Sequence, residues 1–174
     1  SVFAAPSREA LAAPDYPSAN AANRAAIGKG LSKQAYYLIP KVREVDRWLR
    51  ADNASKSPPR HHRLAEAHPE AVFARAQAGP GDAPLPMRHN KKTSAGQRER
   101  IALLHKLMPG SAAVLTQAAA DVSRGRAAED DLIDAAILAW ASAAPPDQRA
   151  WLPNAWACDS AGLPMRMALR NAPR

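Results

Sequence analysis

The sequence predicts an α/β domain that is mostly α-helical, with one or two short strands. The apolar residues, 47% of the chain, are largely alanine and aliphatic side chains, whereas aromatic residues amount to 5%. Alanine is the best helix former, so this composition favours helices. Several segments also repeat apolar residues at three- and four-residue spacing, as amphipathic helices do. The 16 prolines divide these helices into short pieces, because proline cannot donate the helical backbone hydrogen bond.

Two helices are predicted in the N-terminal part of the chain. The first covers residues 18–27, with Ser18 as its N-cap and Gly28 after its end. The second follows Ser32, another suitable N-cap, and continues to Arg50 although Pro40 lies inside it. The spacing of its apolar residues predicts one buried stripe, consisting of Ala35, Leu38, Val42, Val45 and Leu49.

The rest of the chain reads as short strands and further helices. Ser1–Phe3 and residues 63–67 are the strand candidates, and Pro69 suits the first position of a helix that follows. Ser94 and Gln97 have the spacing of a capping box. The predicted helices cover residues 69–77, 94–108, 111–122 and 128–144. We predict one domain over residues 1–174, with residues 1–144 as its core portion and residues 145–174 as a C-terminal tail.

The charge balance favours anionic partners. The formal net charge is +8, which suits nucleic acid or an anionic surface, although a basic soluble protein without such a partner has the same charge. The one cysteine, Cys158, forms no intrachain disulfide and fits a reducing compartment, so we expect a cytoplasmic protein. The longest apolar stretch, near residues 135–144, is about half of the roughly 20 residues that span a bilayer, so no membrane segment is expected.

Acidic residues at the start of the last helix are the first candidates for chemistry. Asp131 and Asp134 are three residues apart and share a helix face, and Asp130 precedes them. Carboxylates in a first turn also interact favourably with the helix dipole, and Asp130 is a suitable cap. However, Asp134 lies in a strongly apolar helix, where neighbouring carboxylates need a cation, and carboxylate oxygens suit Mg²⁺ or Mn²⁺. Both interpretations stay open at this stage.

A second acidic group follows the strand candidate at residues 63–67. Glu66 and His68 point to the same side of an extended segment, and Glu70 lies at the start of the next helix. Ligands collect beyond the carboxyl ends of strands in open α/β sheets, so these residues are candidates for the same metal site, with His68 orienting a water or a phosphate. Alternatively, His68 bonds to backbone and Glu70 is a helix-dipole acid.

The candidate phosphate contacts are lysines. Lys91 and Lys92 follow a proline-rich loop, and Lys33 and Lys41 lie on the second predicted helix. In a protein of this charge, exposed lysines are also unremarkable. A phosphate-binding Gly-Lys loop, a dinucleotide-binding glycine pattern, a serine nucleophile elbow and a zinc-binding HExxH pattern do not occur in the sequence. A small-molecule hydrolase of another type therefore has no motif in its favour.

Several stretches together resemble a known family. They include GLSKQA, KVREVD, EAHPE and DDLIDA, in that order along the chain. This combination is similar to a bacterial family of domains of unknown function that is described as a predicted RNase H-like nuclease. The resemblance implies a mixed sheet with helices packed on it and an acidic site that holds Mg²⁺ or Mn²⁺. It implies that Glu66, Asp131 and Asp134 are catalytic metal ligands, with His68 and Glu70 beside them.

The chain departs from that family pattern in one respect. The resemblance implies a first strand with GVDG, which does not occur here, and a later strand with DxP, whereas the DxP triplets of this chain, at residues 15–17 and 82–84, lie in segments that read as loops. We therefore expect the C-terminal two thirds of an RNase H-like domain, with a second copy or another chain covering the exposed sheet edge. The expected function is metal-dependent phosphodiester hydrolysis, with Lys33, Lys41, Lys91 and Lys92 on the nucleic acid. The alternative is a non-catalytic nucleic-acid-binding or assembly module with the same fold.

Overall fold

A computed structural model of the protein describes residues 5–51, 64–79, 81–122 and 127–172. These residues form seven α-helices and two short antiparallel strands, which confirms the predicted α-rich α/β class. They divide into two compact units. The first contains residues 5–51 and 159–163, and the second contains most of residues 65–172. The prediction of a single domain with a C-terminal tail stays a prediction. The strand candidate at Ser1–Phe3 lies outside the described residues.

The first unit contains three helices that begin at side-chain caps. Ser7, Asp15 and Ser32 each accept a hydrogen bond from a backbone N–H in the first turn. Asp15 takes the place predicted for Ser18, so the second helix begins two residues earlier than expected. Gly28 ends that helix with φ of 70°, a left-handed conformation that glycine adopts without strain. The helices are α1 (Arg8–Ala12), α2 (Tyr16–Ile27) and α3 (Lys33–Arg50).

The buried face of α3 differs from the predicted stripe. Ala35 and Ile39 are buried, but Leu38 and Val45 are about half exposed. The Asp46 side chain is instead largely buried on the inner face of α3, where it forms an ion pair with Arg8 of α1 at 2.6 Å. The prediction for Leu38 and Val45 was wrong, because apolar spacing on a helix also fits a stripe rotated by one position. The core of this unit consists of Ala10, Ala19, Leu31, Ala35 and Ile39.

The second unit packs four helices and a short hairpin around one apolar core. Its elements are α4 (Pro69–Gln77), α5 (Ser94–Leu107), α6 (Ser111–Asp121), α7 (Glu129–Ser142), β1 (Arg149–Leu152) and β2 (Met167–Arg170), with a 3-10 turn at Pro146–Gln148. Thr93 caps α5 by accepting from the Gly96 N–H, so the predicted capping box at Ser94 was wrong. The buried core residues are Val72, Phe73, Ala76, Leu104, Ile133, Ile137, Trp140 and Leu169.

The strand predicted at residues 63–67 lies partly outside the described residues, which begin again at Leu64, and residues 64–67 contain a single bridge. Glu66 pairs with Met167 in a parallel bridge, and its carbonyl accepts from the Ala168 N–H at 2.7 Å. β2 therefore lies between Glu66 and β1. Leu169 of β2 is buried in the core, so residues beyond 144 contribute to packing. No helix in the described ranges has the length and apolar character needed to cross a bilayer.

The core of the second unit generates the first testable prediction. Leu104 of α5 is fully buried, so Leu104→Ala should lower the free energy of unfolding by about 2–5 kcal/mol through lost burial and a residual cavity. Leu85 is 51% exposed, and Leu85→Ala should change stability by less than about 0.5 kcal/mol. Urea denaturation followed by circular dichroism measures both. Equal losses in the two variants would contradict this assignment of the core.

Candidate functional site

The acidic residues of α7 separate into two roles. The Asp131 carboxylate accepts a hydrogen bond from the Ala128 N–H at 3.0 Å, so it caps the helix. Asp134, one turn further along, is mostly buried and forms a hydrogen bond with Lys91 Nζ through Oδ2 at 2.6 Å. Asp130 Oδ2 lies 3.7 Å from the same ammonium group. The carboxylates that converge are therefore those of Asp130 and Asp134, and Asp131 has a separate helix-capping contact.

Lys91 is the cation at the centre of this acidic cluster. Its hydrogen bond to Asp134, opposed by partial burial and supported by the charges of Asp134, Asp130 and Glu70, raises the pKa of Lys91 above its ordinary value of 10.5. Asp134 Oδ1 is buried and has no hydrogen-bond partner among the described residues. The cluster therefore holds one monovalent cation, supplied by the chain itself, between two carboxylates.

Glu70 is held by a second internal cation. The Arg100 guanidinium donates to both carboxylate oxygens of Glu70 at 2.8–3.1 Å. It is only 3% exposed, and it also donates to the carbonyls of His89 and Gly96. A bidentate pair of this kind fixes the geometry of both side chains. Glu70 is therefore a structural partner of α5 in this arrangement.

Glu66 and His68 stand apart from these pairs. Glu66 is exposed, and its backbone makes the bridge to β2. His68 precedes α4 as its N-cap residue, but its side chain makes no capping hydrogen bond. Across the described ranges, no group of three or more His, Cys, Asp or Glu side chains is arranged to hold a metal ion. As placed, the residues do not fit a shared Mg²⁺ or Mn²⁺, and the metal set of Glu66, Glu70, Asp131 and Asp134 stays a prediction.

The loop before α5 is held against the helix by close backbone contact. A Cβ atom at Gly96 would overlap the carbonyl of Asn90, so only glycine allows this approach. Asn90 also accepts from the Lys92 N–H through its side chain and from Thr93 through its carbonyl. These contacts fix the turn that carries Lys91 toward Asp134.

A basic cleft is lined by residues that precede and follow this turn in the sequence. It has a volume of about 700 Å³, and Arg88, His89 and Arg98 supply its charged or ring N–H groups. Within the described part of the chain, the side chains of these three residues make no hydrogen bond or ion pair. The complete lining consists of Gln77, Leu85, Pro86, Arg88, His89, Ala95, Arg98 and Glu99.

Glu99 is the acidic residue that lines this cleft, but its carboxylate accepts hydrogen bonds from backbone N–H groups. Oε1 accepts from the Arg88 N–H at 2.9 Å and Oε2 from the His89 N–H at 3.0 Å. Desolvation raises the pKa of Glu99, but the two N–H donors and the nearby positive charges together outweigh it, so the pKa lies below its ordinary value. The carboxylate therefore orders the basic loop without pairing with the arginine side chains. Sequence reasoning missed Arg98 and His89; the basic stretch MRHNKK was the available signal for His89, and no local pattern marked Arg98.

The predicted lysine contacts fall into different surroundings. Lys91 is occupied by its ion pair, whereas Lys92 is exposed. Lys33 and Lys41 are exposed residues of α3 in the first unit. Their predicted contact with nucleic acid stays a prediction, and among the four only Lys91 has an ion pair in the described residues.

An apolar cavity of about 600 Å³ lies between α5, α6 and α7. Cavities of this size and character favour small apolar ligands. Its polar lining residues, His105, Thr116 and Glu129, make no hydrogen bond with one another in the described structure. A nucleophile–base pair is therefore not formed there, and the cavity does not support a hydrolase of another type.

Comparison with known proteins identifies the family. A family model described as "Protein of unknown function (DUF429)" matches residues 1–155. The chain belongs to this family. No curated protein and no solved structure matches the chain. The predicted membership of an uncharacterised family is confirmed, whereas the RNase H-like fold of this DUF429 member stays a prediction.

The Lys91 pair gives a prediction about pH. Lys91→Gln should lower the free energy of unfolding by about 1 kcal/mol at pH 7, because Asp130 and Asp134 lose their counter-ion. The folded pKa of Lys91 lies above its ordinary value of 10.5, so its stabilising contribution is complete below that pH and is lost as pH rises through the folded pKa. The difference between the wild type and the variant should therefore shrink at high pH.

The control for this measurement is the neighbouring lysine. Lys92 is exposed, and Lys92→Gln should leave stability within about 0.5 kcal/mol of the wild type. Urea denaturation at pH 7 and at several values above 10.5 measures both variants. A Lys91→Gln deficit that stays constant across this range would show that the ion pair is not its source.

Proposed function

We propose that this DUF429 member binds nucleic acid, with backbone phosphates held in the cleft of Arg88, His89 and Arg98. The observation that carries the proposal is the state of these side chains. They surround a cleft of about 700 Å³, and none of the three side chains forms a hydrogen bond or an ion pair within the described residues. Guanidinium groups donate to phosphate oxygens in bidentate geometry, so two arginines in one cleft suit a phosphodiester.

The internal use of the other cations supports this choice. Lys91 and Arg100 are committed to Asp134 and Glu70, so they are not available to an anionic ligand without breaking these pairs. Arg88 and Arg98 have no such commitment. Glu99 accepts from backbone N–H groups, so the two guanidinium groups keep their donors free, and their two positive charges outweigh the one negative charge of Glu99. The formal net charge of +8 adds a long-range attraction toward a polyanion.

Metal-dependent phosphodiester hydrolysis is the second candidate. The observation in its favour is the cluster of Asp130 and Asp134 around one cation, with Asp134 Oδ1 buried and unpartnered. The RNase H-like resemblance implies this activity with Glu66, Asp131, Asp134 and His68 as catalytic residues. It ranks second because Lys91 Nζ already lies between the two carboxylates, Asp131 caps α7 and Glu70 binds Arg100. No hydrolytic step follows from this arrangement.

The cleft predicts the salt dependence of binding. Arg88→Gln and Arg98→Gln should each weaken binding to a DNA or RNA oligonucleotide and reduce the slope of log Kd against log salt concentration by about one. Lys106→Gln removes an equal charge from an exposed position of α5 outside the cleft and should have a smaller effect. Fluorescence anisotropy at several salt concentrations measures these slopes. Equal effects in all three variants would indicate binding by net charge, without a role for the cleft.

A cleavage assay separates the two candidates. With Mn²⁺ or Mg²⁺ and the same oligonucleotide, we expect binding without cleavage, because Lys91 already neutralises Asp130 and Asp134. Gel electrophoresis of the labelled strand measures the outcome. Metal-dependent cleavage that is lost in Asp134→Asn but retained in Lys106→Gln would establish the nuclease instead.

A further inference from the structure

We infer that Trp156, supported by Arg166 and Trp151, is a stacking platform for an unpaired nucleobase, so that the preferred ligand is single-stranded nucleic acid. The inference rests on the proposed function for the kind of ligand but on a separate set of residues. Trp151 lies in β1, and Trp156 and Arg166 lie in the connection between β1 and β2. None of the three lines the basic cleft.

The three side chains form one layered group. The Arg166 Cζ atom lies 3.6 Å from the centroid of the Trp151 ring and 3.9 Å from that of the Trp156 ring. These are van der Waals stacking distances, so the guanidinium contacts both indoles. The two ring centroids are 6.3 Å apart, with their planes inclined by 51°. A guanidinium between two inclined rings holds Trp156 in a defined position.

The connection that carries these residues is itself ordered by backbone contacts. Cys158 and Pro164 form an antiparallel bridge, and the Met165 N–H donates to the Ala157 carbonyl at 2.9 Å. These contacts bring the neighbours of Trp156 and Arg166 together across the connection. The aromatic surface is therefore preorganised, which reduces the entropy lost when a ligand stacks on it.

Exposure and charge point to the class of ligand. Trp156 is 43% exposed, so a large part of an indole remains in water. Arg166 makes no ion pair or hydrogen bond within the described residues, and its N–H groups keep their charge and their capacity to donate. A purely apolar partner would bury this charge without compensation, at a high cost in free energy. A nucleotide compensates it, because the base offers a π face and the phosphate or base edge offers acceptors.

The decisive experiment compares single strands with duplex on the full chain. Fluorescence anisotropy measures Kd for a thymidine oligonucleotide of about 12 residues, and for the same length of duplex. The wild type should bind the single strand more tightly, and Trp156→Ala should weaken that binding by roughly 5- to 100-fold while duplex binding changes little. Trp156→Phe should lose less, since a phenyl ring still stacks. Arg166→Gln should also weaken single-strand binding, and Arg166→Lys should weaken it less.

Leu152 provides the matched control. It is 44% exposed and lies in the same hairpin, and Leu152→Ala removes apolar surface without removing a ring. An equal loss of single-strand affinity in Leu152→Ala and Trp156→Ala would overturn the stacking role. A circular dichroism spectrum like that of the wild type, together with retained duplex affinity, would show that Trp156→Ala is folded.

The remaining outcomes separate this inference from the proposed function. If the wild type binds both forms equally and Trp156→Ala has no effect, stacking is refuted while nucleic-acid binding through the cleft stands. If the wild type binds neither form, both proposals fail. A shift of tryptophan emission with vesicles of anionic phospholipid that is lost in Trp156→Phe, and that is absent with oligonucleotides, would assign the surface to a membrane and refute the inference.

Discussion

The buried guanidinium of Arg100 joins the parts of the second unit on which both candidate sites depend. It binds Glu70 of α4, the carbonyl of His89 in the loop before α5 and the carbonyl of Gly96 within α5. Its Cζ atom also lies 5.6 Å from the centroid of Phe73 in the core. A buried cation needs such compensation, because its desolvation is expensive. One side chain therefore connects the core to the loop that carries both Lys91 and the basic cleft.

The charges of this unit serve two different purposes. Lys91 and Arg100 are neutralised by acids from other helices and stabilise the packing of loop and helix. Arg88 and Arg98 have no such partners in the described ranges, and the carboxylate of Glu99 beside them accepts from backbone donors. The net charge of the chain does not distinguish these two groups. Their different surroundings are the reason why binding ranks above hydrolysis.

Local signals predicted much of the fold and little of the site. Ser32 as the cap of α3 and Pro69 at the start of α4 act through their own backbone surroundings, so the sequence was sufficient to find them. The buried face of α3 was misplaced because the same spacing also fits a stripe rotated by one position, and in that orientation Asp46 pairs with Arg8, a residue distant in sequence. Spacing also grouped Asp131 with Asp134, but Asp131 caps α7, and the partner of Asp134, Lys91, is 43 residues away. Interactions at that separation have no local pattern.

Gly96 determines how closely the loop before α5 can approach the helix. Any side chain there would collide with the Asn90 carbonyl, and the turn from Asn90 to Thr93 would have to move away from α5. Substitution of Gly96 by any other residue would therefore disturb this packing, even though the glycine itself carries no charge. Because Gly96 has no Cβ atom, the loop and α5 can pack in direct contact.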